Sequence, residues 1–133
     1  MNIVQINNWQ EYQRDGEQFL AVASRAYEQK KKAFTPDTLY NLTCMGIEKL
    51  IMAFLMYNGD LAENHTMADL SRALEQHLGT DINLAGKMAY LDSFQEICEI
   101  ESYSVRIPGE KDIPTILAIG EEIKNLIIPK LQN

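Results

Sequence analysis

Thr38 to Tyr57 reads Thr-Leu-Tyr-Asn-Leu-Thr-Cys-Met-Gly-Ile-Glu-Lys-Leu-Ile-Met-Ala-Phe-Leu-Met-Tyr, and the rest of the chain is organised around it. Pro36-Asp37 in front of it is a helix-start pair and Asn58-Gly59 behind it a helix-stop pair. Between them the spacing predicts a helix of about five turns. Leu39, Thr43, Gly46, Leu50, Ala53, Phe54 and Tyr57 fall on one side at 100° per residue. The opposite side carries Asn41, Met45, Glu48, Met52, Leu55 and Met56, and it is far from polar. A helix that is apolar nearly all round is either enclosed centrally or has one face against a partner.

Outward from this segment, the chain keeps helical periodicity. Asn7 or Asn8 caps a first helix to about Lys32, with Trp9, Tyr12, Gly16, Phe19, Leu20, Ala23, Ala26 and Tyr27 in one stripe. Downstream, Thr66-Met-Ala-Asp69 has the shape of a capping box and opens a short helix to about His77, stopped by Gly79. Thr80 or Asp81 starts a fourth helix, expected to last to about Tyr103, with Leu84, Met88, Leu91, Phe94 and Cys98 inward. Pro108-Gly109 forces a loop. Asp112 then caps a last helix that tolerates Pro114 in its first turn and ends at Pro129. No stretch alternates like a strand for more than a few residues. The reading is all-α: an up-and-down antiparallel bundle of five helices, four long and a short third, in a single domain over residues 1–133.

Composition narrows the function classes. A net charge of −7 argues against a chain that grips nucleic acid through bulk electrostatics. Cys44 and Cys98 sit in apolar helical patterns and read as two buried thiols in a reducing compartment. Met1-Asn-Ile-Val-Gln5 lacks the pattern of a signal peptide. The longest unbroken apolar run, Leu50 to Tyr57, falls short of the roughly 20 residues that span a bilayer, so the expectation is a cytoplasmic protein without a membrane.

Few residues carry chemistry. There is no phosphate-cradling glycine loop, nucleophile elbow or histidine ligand pair. Asp92, Glu96 and Glu99 make an acidic stripe, read as solvated surface because no Glu-x-x-His accompanies it; neither a metal nor another cofactor is expected. Lys30-Lys31-Lys32 close the first helix, where cations complement its negative end. His65 and His77 read as solvated or capping, since a general base needs a positioned partner that the sequence does not reveal. Glu48-Lys49 is costly to bury in mid-helix. Either the pair marks a strip left in water, or Glu48 meets a cation from another helix, with Arg106 the candidate.

Three short motifs carry a resemblance. Gly46-Ile-Glu-Lys-Leu-Ile-Met-Ala-Phe-Leu is similar to a Val-Glu-Lys-Ala-Leu-Lys-Ala-Leu run. Met67-Ala-Asp-Leu-Ser-Arg-Ala-Leu is similar to a Thr-His-Asp-Leu segment, and Tyr103-Ser-Val-Arg-Ile-Pro108 resembles Tyr-x-x-Arg-Tyr-Pro. Together, in this order, they resemble the HEPN domain (higher eukaryotes and prokaryotes nucleotide-binding). The resemblance implies a helical bundle, commonly dimeric, often encoded or fused with a minimal nucleotidyltransferase. Many members are ribonuclease toxins of toxin–antitoxin and phage-defence systems, with an arginine and a histidine separated by four to six residues. If that arginine is Arg106, the histidine position is Lys111, Asp112 or Ile113, and none is histidine. Ala68 stands where the Thr-His-Asp-Leu segment has its histidine. Lysine titrates too high and aspartate too low to replace a neutral-pH imidazole without strong tuning.

The expectation is therefore a non-catalytic HEPN-like module that acts through homodimerisation, or through a partner such as a minimal nucleotidyltransferase. Its interface would be Met45, Met52, Leu55 and Met56, an adaptable apolar strip, unless another helix of the bundle covers it. The alternative is a HEPN ribonuclease toxin or nucleotide-binding protein whose phosphate-binding cluster is Glu48, Arg106, Lys111 and Asp112. A third reading is a small-ligand pocket lined by Tyr12, Tyr40, Tyr57 and Tyr90.

Overall fold

The structure is a computed structural model and describes residues 8–94 and 107–131. The described residues form five α-helices and no strand: α1 (Trp9–Glu28), α2 (Pro36–Tyr57), α3 (Met67–Leu78), α4 (Ile82–Asp92) and α5 (Ile113–Ile127). Their starts follow local chemistry. Thr35, Thr66 and Asp81 each accept the N–H three residues on through a side-chain oxygen, which satisfies one of the orphan donors of the first turn. Pro36 sits where its missing N–H costs nothing. Asn58 closes α2 by donating its side-chain amide to the Phe54 carbonyl at 2.8 Å, and Gly59 turns the chain at φ +75°.

The helices pack where glycine lets their backbones meet. A Cβ on Gly46 would lie 2.7 Å from Leu20 Cδ2 and 3.0 Å from the Gly16 carbonyl oxygen, and one on Gly16 would lie 2.8 Å from Leu50 Cγ. α1 and α2 therefore cross in direct backbone contact and run antiparallel, with Trp9 edge-on to Tyr57 at 5.0 Å. Gly120 brings α5 onto the same crossing, against Leu20 and Thr43. Thr43 is fully buried there and donates its hydroxyl to the Leu39 carbonyl at 2.8 Å.

α2 is the hub. All seven residues from Leu50 to Met56 are buried, so that half of the helix is covered on every side. Met52 is 6% exposed and Leu55 and Met56 are buried with it, which corrects their expected role as an interface. Among the four, Met45 alone is exposed, at 43%. The cover comes from the chain itself. Glu48, Met52 and Leu55 share one stripe at helical spacing. The Asp60 N–H binds the Leu55 carbonyl at its lower end, and His65 meets Glu48 at its upper end. The segment 58–66 thus doubles back along this stripe before α3 starts.

α4 ends at Asp92, where Ser93 donates its hydroxyl to the Tyr90 carbonyl at 2.6 Å. α4 is thus as short as α3 in what is described, and its expected continuation to Tyr103 lies outside the described residues, as does Cys98. The Asp92 carboxylate is not part of a solvated acidic face. It accepts the Met67 and Ala68 N–H groups at 2.9 and 2.8 Å, capping α3 from the end of α4. Glu96 and Glu99 are outside the described residues.

Candidate functional site

The polar groups singled out in the sequence do not form one described cluster. Glu48 accepts from His65 Nδ1 at 2.6 Å, so an imidazole supplies its partner. Its neighbour Lys49 places Nζ 4.6 Å from the Tyr12 ring centroid. Both charges of the mid-helix pair are met at the rim of the bundle, on the half of α2 that keeps a strip in water. Arg106 lies outside the described residues. Lys111 is exposed. Asp112 staples its own turn by accepting the Gly109 N–H at 2.9 Å, and Tyr90 donates its hydroxyl to the other oxygen at 3.4 Å. Among the described residues no bond joins Glu48 to Lys111 or Asp112.

A second imidazole pair mirrors the first. His77 Nε2 lies 2.9 Å from Asp60 Oδ2, and the ring stands edge-on to Phe54 with centroids 5.7 Å apart. The hydrogen bond from His77, joined by the Leu61 N–H, holds Asp60 below the usual carboxylate range. The two pairs hold the return segment at both ends, Asp60 to the end of α3 and His65 to the middle of α2. Each links residues seventeen apart, a separation with no local sequence signature. Neither partner is visible in the sequence alone.

The four tyrosines do not line a common pocket. Tyr12 lies under Lys49 and Tyr57 stands against Trp9. Tyr40 and Tyr90 both meet Phe94 edge-on, at 5.3 and 5.1 Å. Tyr40 is buried and donates to the Leu91 carbonyl at 2.7 Å; burial pushes its hydroxyl pKa up. Burial likewise pushes the Cys44 thiol up to about 12, so it is an inert core group and no nucleophile. No three His, Cys, Asp or Glu side chains converge as a metal site among the described residues.

No family model, characterised protein or solved structure matches the chain.

Open grooves indent the described surface. One, about 400 Å³, lies between the return segment and α3 and is polar, edged by Asp60, Glu63, Asp69 and Arg72. Arg72 pairs with Asp69 inside it. Another, about 420 Å³, lies at the α3–α4 turn, with Leu74, Leu84 and Leu126 in its wall and Leu78 and Ile82 at its lip. Ile82 is 81% exposed, the most exposed of the large apolar side chains described, and Leu78 stands out beside it. Glu75 and Asp81 are the charged residues of this second groove, and no cation lines it. The sequence pattern placed Leu74 inward, but the run Leu78-Gly-Thr-Asp-Ile82 read only as a helix stop and a new start. Its signal was the isoleucine immediately after the α4 cap, a first-turn position that had no core to reach.

α2 is the one described helix long and apolar enough to cross a bilayer by length and composition. Most of that window, 72%, is buried inside the bundle, as for the core helix of a globular domain.

Proposed function

We propose that the chain is a non-catalytic, HEPN-like helical module of the cytoplasm that works by association. It pairs with itself or with a partner protein such as a minimal nucleotidyltransferase, as in a toxin–antitoxin type of system. The α3–α4 groove carries this reading. Leu78 and Ile82 stand in water at the mouth of a recess walled in part by Leu74, Leu84 and Leu126, on a protein whose other large apolar groups mostly have cover. We assign the contact to this lip because an exposed apolar pair beside a recess is surface that association would remove from water. The groups that would act on RNA support the non-catalytic half: Asp112 is engaged in holding its own turn, and no bond among the described residues joins it or Lys111 to Glu48. The purified full chain should leave labelled single-stranded RNA intact. Cleavage that Arg106→Ala abolishes would overturn this half of the proposal. Co-expression with a minimal nucleotidyltransferase encoded beside it should give a complex that Ile82→Asp weakens; a complex indifferent to Ile82→Asp would remove the groove from the contact.

One observation favours the second reading, a ribonuclease or nucleotide-binding protein. An imidazole oriented by a carboxylate is the arrangement of a general base, and His65 against Glu48 has it. In that case His65→Asn and Arg106→Ala would each abolish cleavage, and intact RNA with the parent chain would exclude the ribonuclease.

A further inference from the structure

The chain carries a counterpart to its own groove at the other end of the bundle. Resting on the association reading above, we infer that the occupant of the α3–α4 groove is the α1 terminus, Tyr27 to Lys32, of a second copy of this chain.

Two sets of observations support the match. At the groove, Leu78 and Ile82 offer apolar surface, and the lining charges, Glu75 and Asp81, are both negative. Residues 60–92 as a whole hold six carboxylates and only Arg72 and Lys87 as cations. At the end of α1, Tyr27 is an exposed aromatic residue, and Lys30, Lys31 and Lys32 follow it in water. Among the described residues none of the three lysines makes an ion pair. An apolar anchor beside three cations meets an apolar recess beside two anions, so contact and charge favour the same docking.

The local geometry presents these lysines outward. The Lys31 N–H reaches back to the Ala26 carbonyl and the Lys30 N–H to the Tyr27 carbonyl, with Lys30 at φ +51°. This is the closing turn of a helix that glycine usually occupies. Here a lysine takes the left-handed position and turns the run away from the helix axis.

The two surfaces lie at opposite ends of α2. The α1–α2 connection is at its start, whereas α3 ends against Phe54 and Asp60 at its finish. Two copies that exchange these contacts about a two-fold axis would satisfy both at once. Much of the attraction comes from exposed charges, so added salt weakens it.

Sedimentation velocity of the full chain tests this. In low salt the parent chain should self-associate as its concentration rises, and less so in high salt. Ile82→Asp, at an exposed position, should sediment as a monomer. So should the triple variant Lys30→Glu, Lys31→Glu, Lys32→Glu, and so should Glu75→Lys. Mixing the triple variant with Glu75→Lys should restore association, because the reversed charges then meet one another. Circular dichroism of each variant checks that the fold is kept. A parent chain that stays monomeric at every concentration overturns the inference, as does self-association unchanged in Ile82→Asp and in the triple variant. A monomeric parent chain that binds a different protein through Ile82 would keep the groove as a docking site and overturn the second copy as its occupant.

Discussion

The two halves of α2 differ in sequence and in how far they are enclosed. From Leu50 to Met56 every side chain is buried, whereas the first half keeps Asn41 and Met45 in water with Glu48 and Lys49 at the boundary. Apolar content separates them in part: Leu50 to Met56 is wholly apolar, whereas Asn41, Thr43, Glu48 and Lys49 interrupt the first half. Packing completes the difference: α1 and α3 reach the second half, through Trp9 on Tyr57 and His77 on Phe54, and the return segment runs back from Leu55 to Glu48, where His65 holds it. A methionine strip on a helix is thus a surface or a core according to what packs over it, and here three of its four members are core.

That contrast can be broken or sharpened by substitution. Leu55→Asp places an unpaired carboxylate in the enclosed half and should destabilise the fold by about 3–5 kcal/mol, measured by urea unfolding. Gly46→Ala, at the junction of the two halves, drives a methyl group against the Gly16 carbonyl, a backbone atom that cannot swing aside. It should cost about 1–3 kcal/mol despite alanine's better helix propensity. The same change at Gly86 on α4, where an added Cβ meets nothing within 4 Å, should instead raise stability by about 0.5–1 kcal/mol.

Acid probes the cover itself. Asp60 is held below its ordinary value, so its bond to His77 contributes stability that is fully present above the unfolded carboxylate pKa of about 3.9. The contribution is lost as pH falls through the lowered folded value. Urea midpoints should therefore fall on acidification in that window, and fall less steeply in His77→Asn. A parallel pH profile for the two chains would show that the staple adds nothing. The smallest effect belongs to Met45→Asp, which should change unfolding free energy by no more than about 0.5 kcal/mol.

Much of the bundle was legible in sequence because its determinants are local. Pro36, Thr66 and Asp81 mark helix starts by their own chemistry, and Gly16, Gly46 and Gly120 lie on apolar stripes where a missing side chain lets helices touch. The end of α4 was not legible, since Leu91, Phe94 and Cys98 continue its apolar spacing past the Ser93 turn. The covered methionines could not be assigned either, because an apolar strip looks the same under a partner as under the chain's own loop. The groups around it form pairs only through tertiary folding: Glu48 with His65, Asp60 with His77, Asp92 with the α3 terminus. The groove was missed for a related reason. Leu78 and Ile82 flank a turn, and only the turn's geometry shows that both stay in water.

Met52→Asp tests the enclosure of α2 most directly, by urea unfolding and sedimentation on one preparation. Enclosure predicts a sharply lowered unfolding midpoint, because the new carboxylate has no water and no cation to meet. A variant as stable as the parent chain, changed only in its state of association, would mean that the strip faces a partner and that the bundle does not close over it.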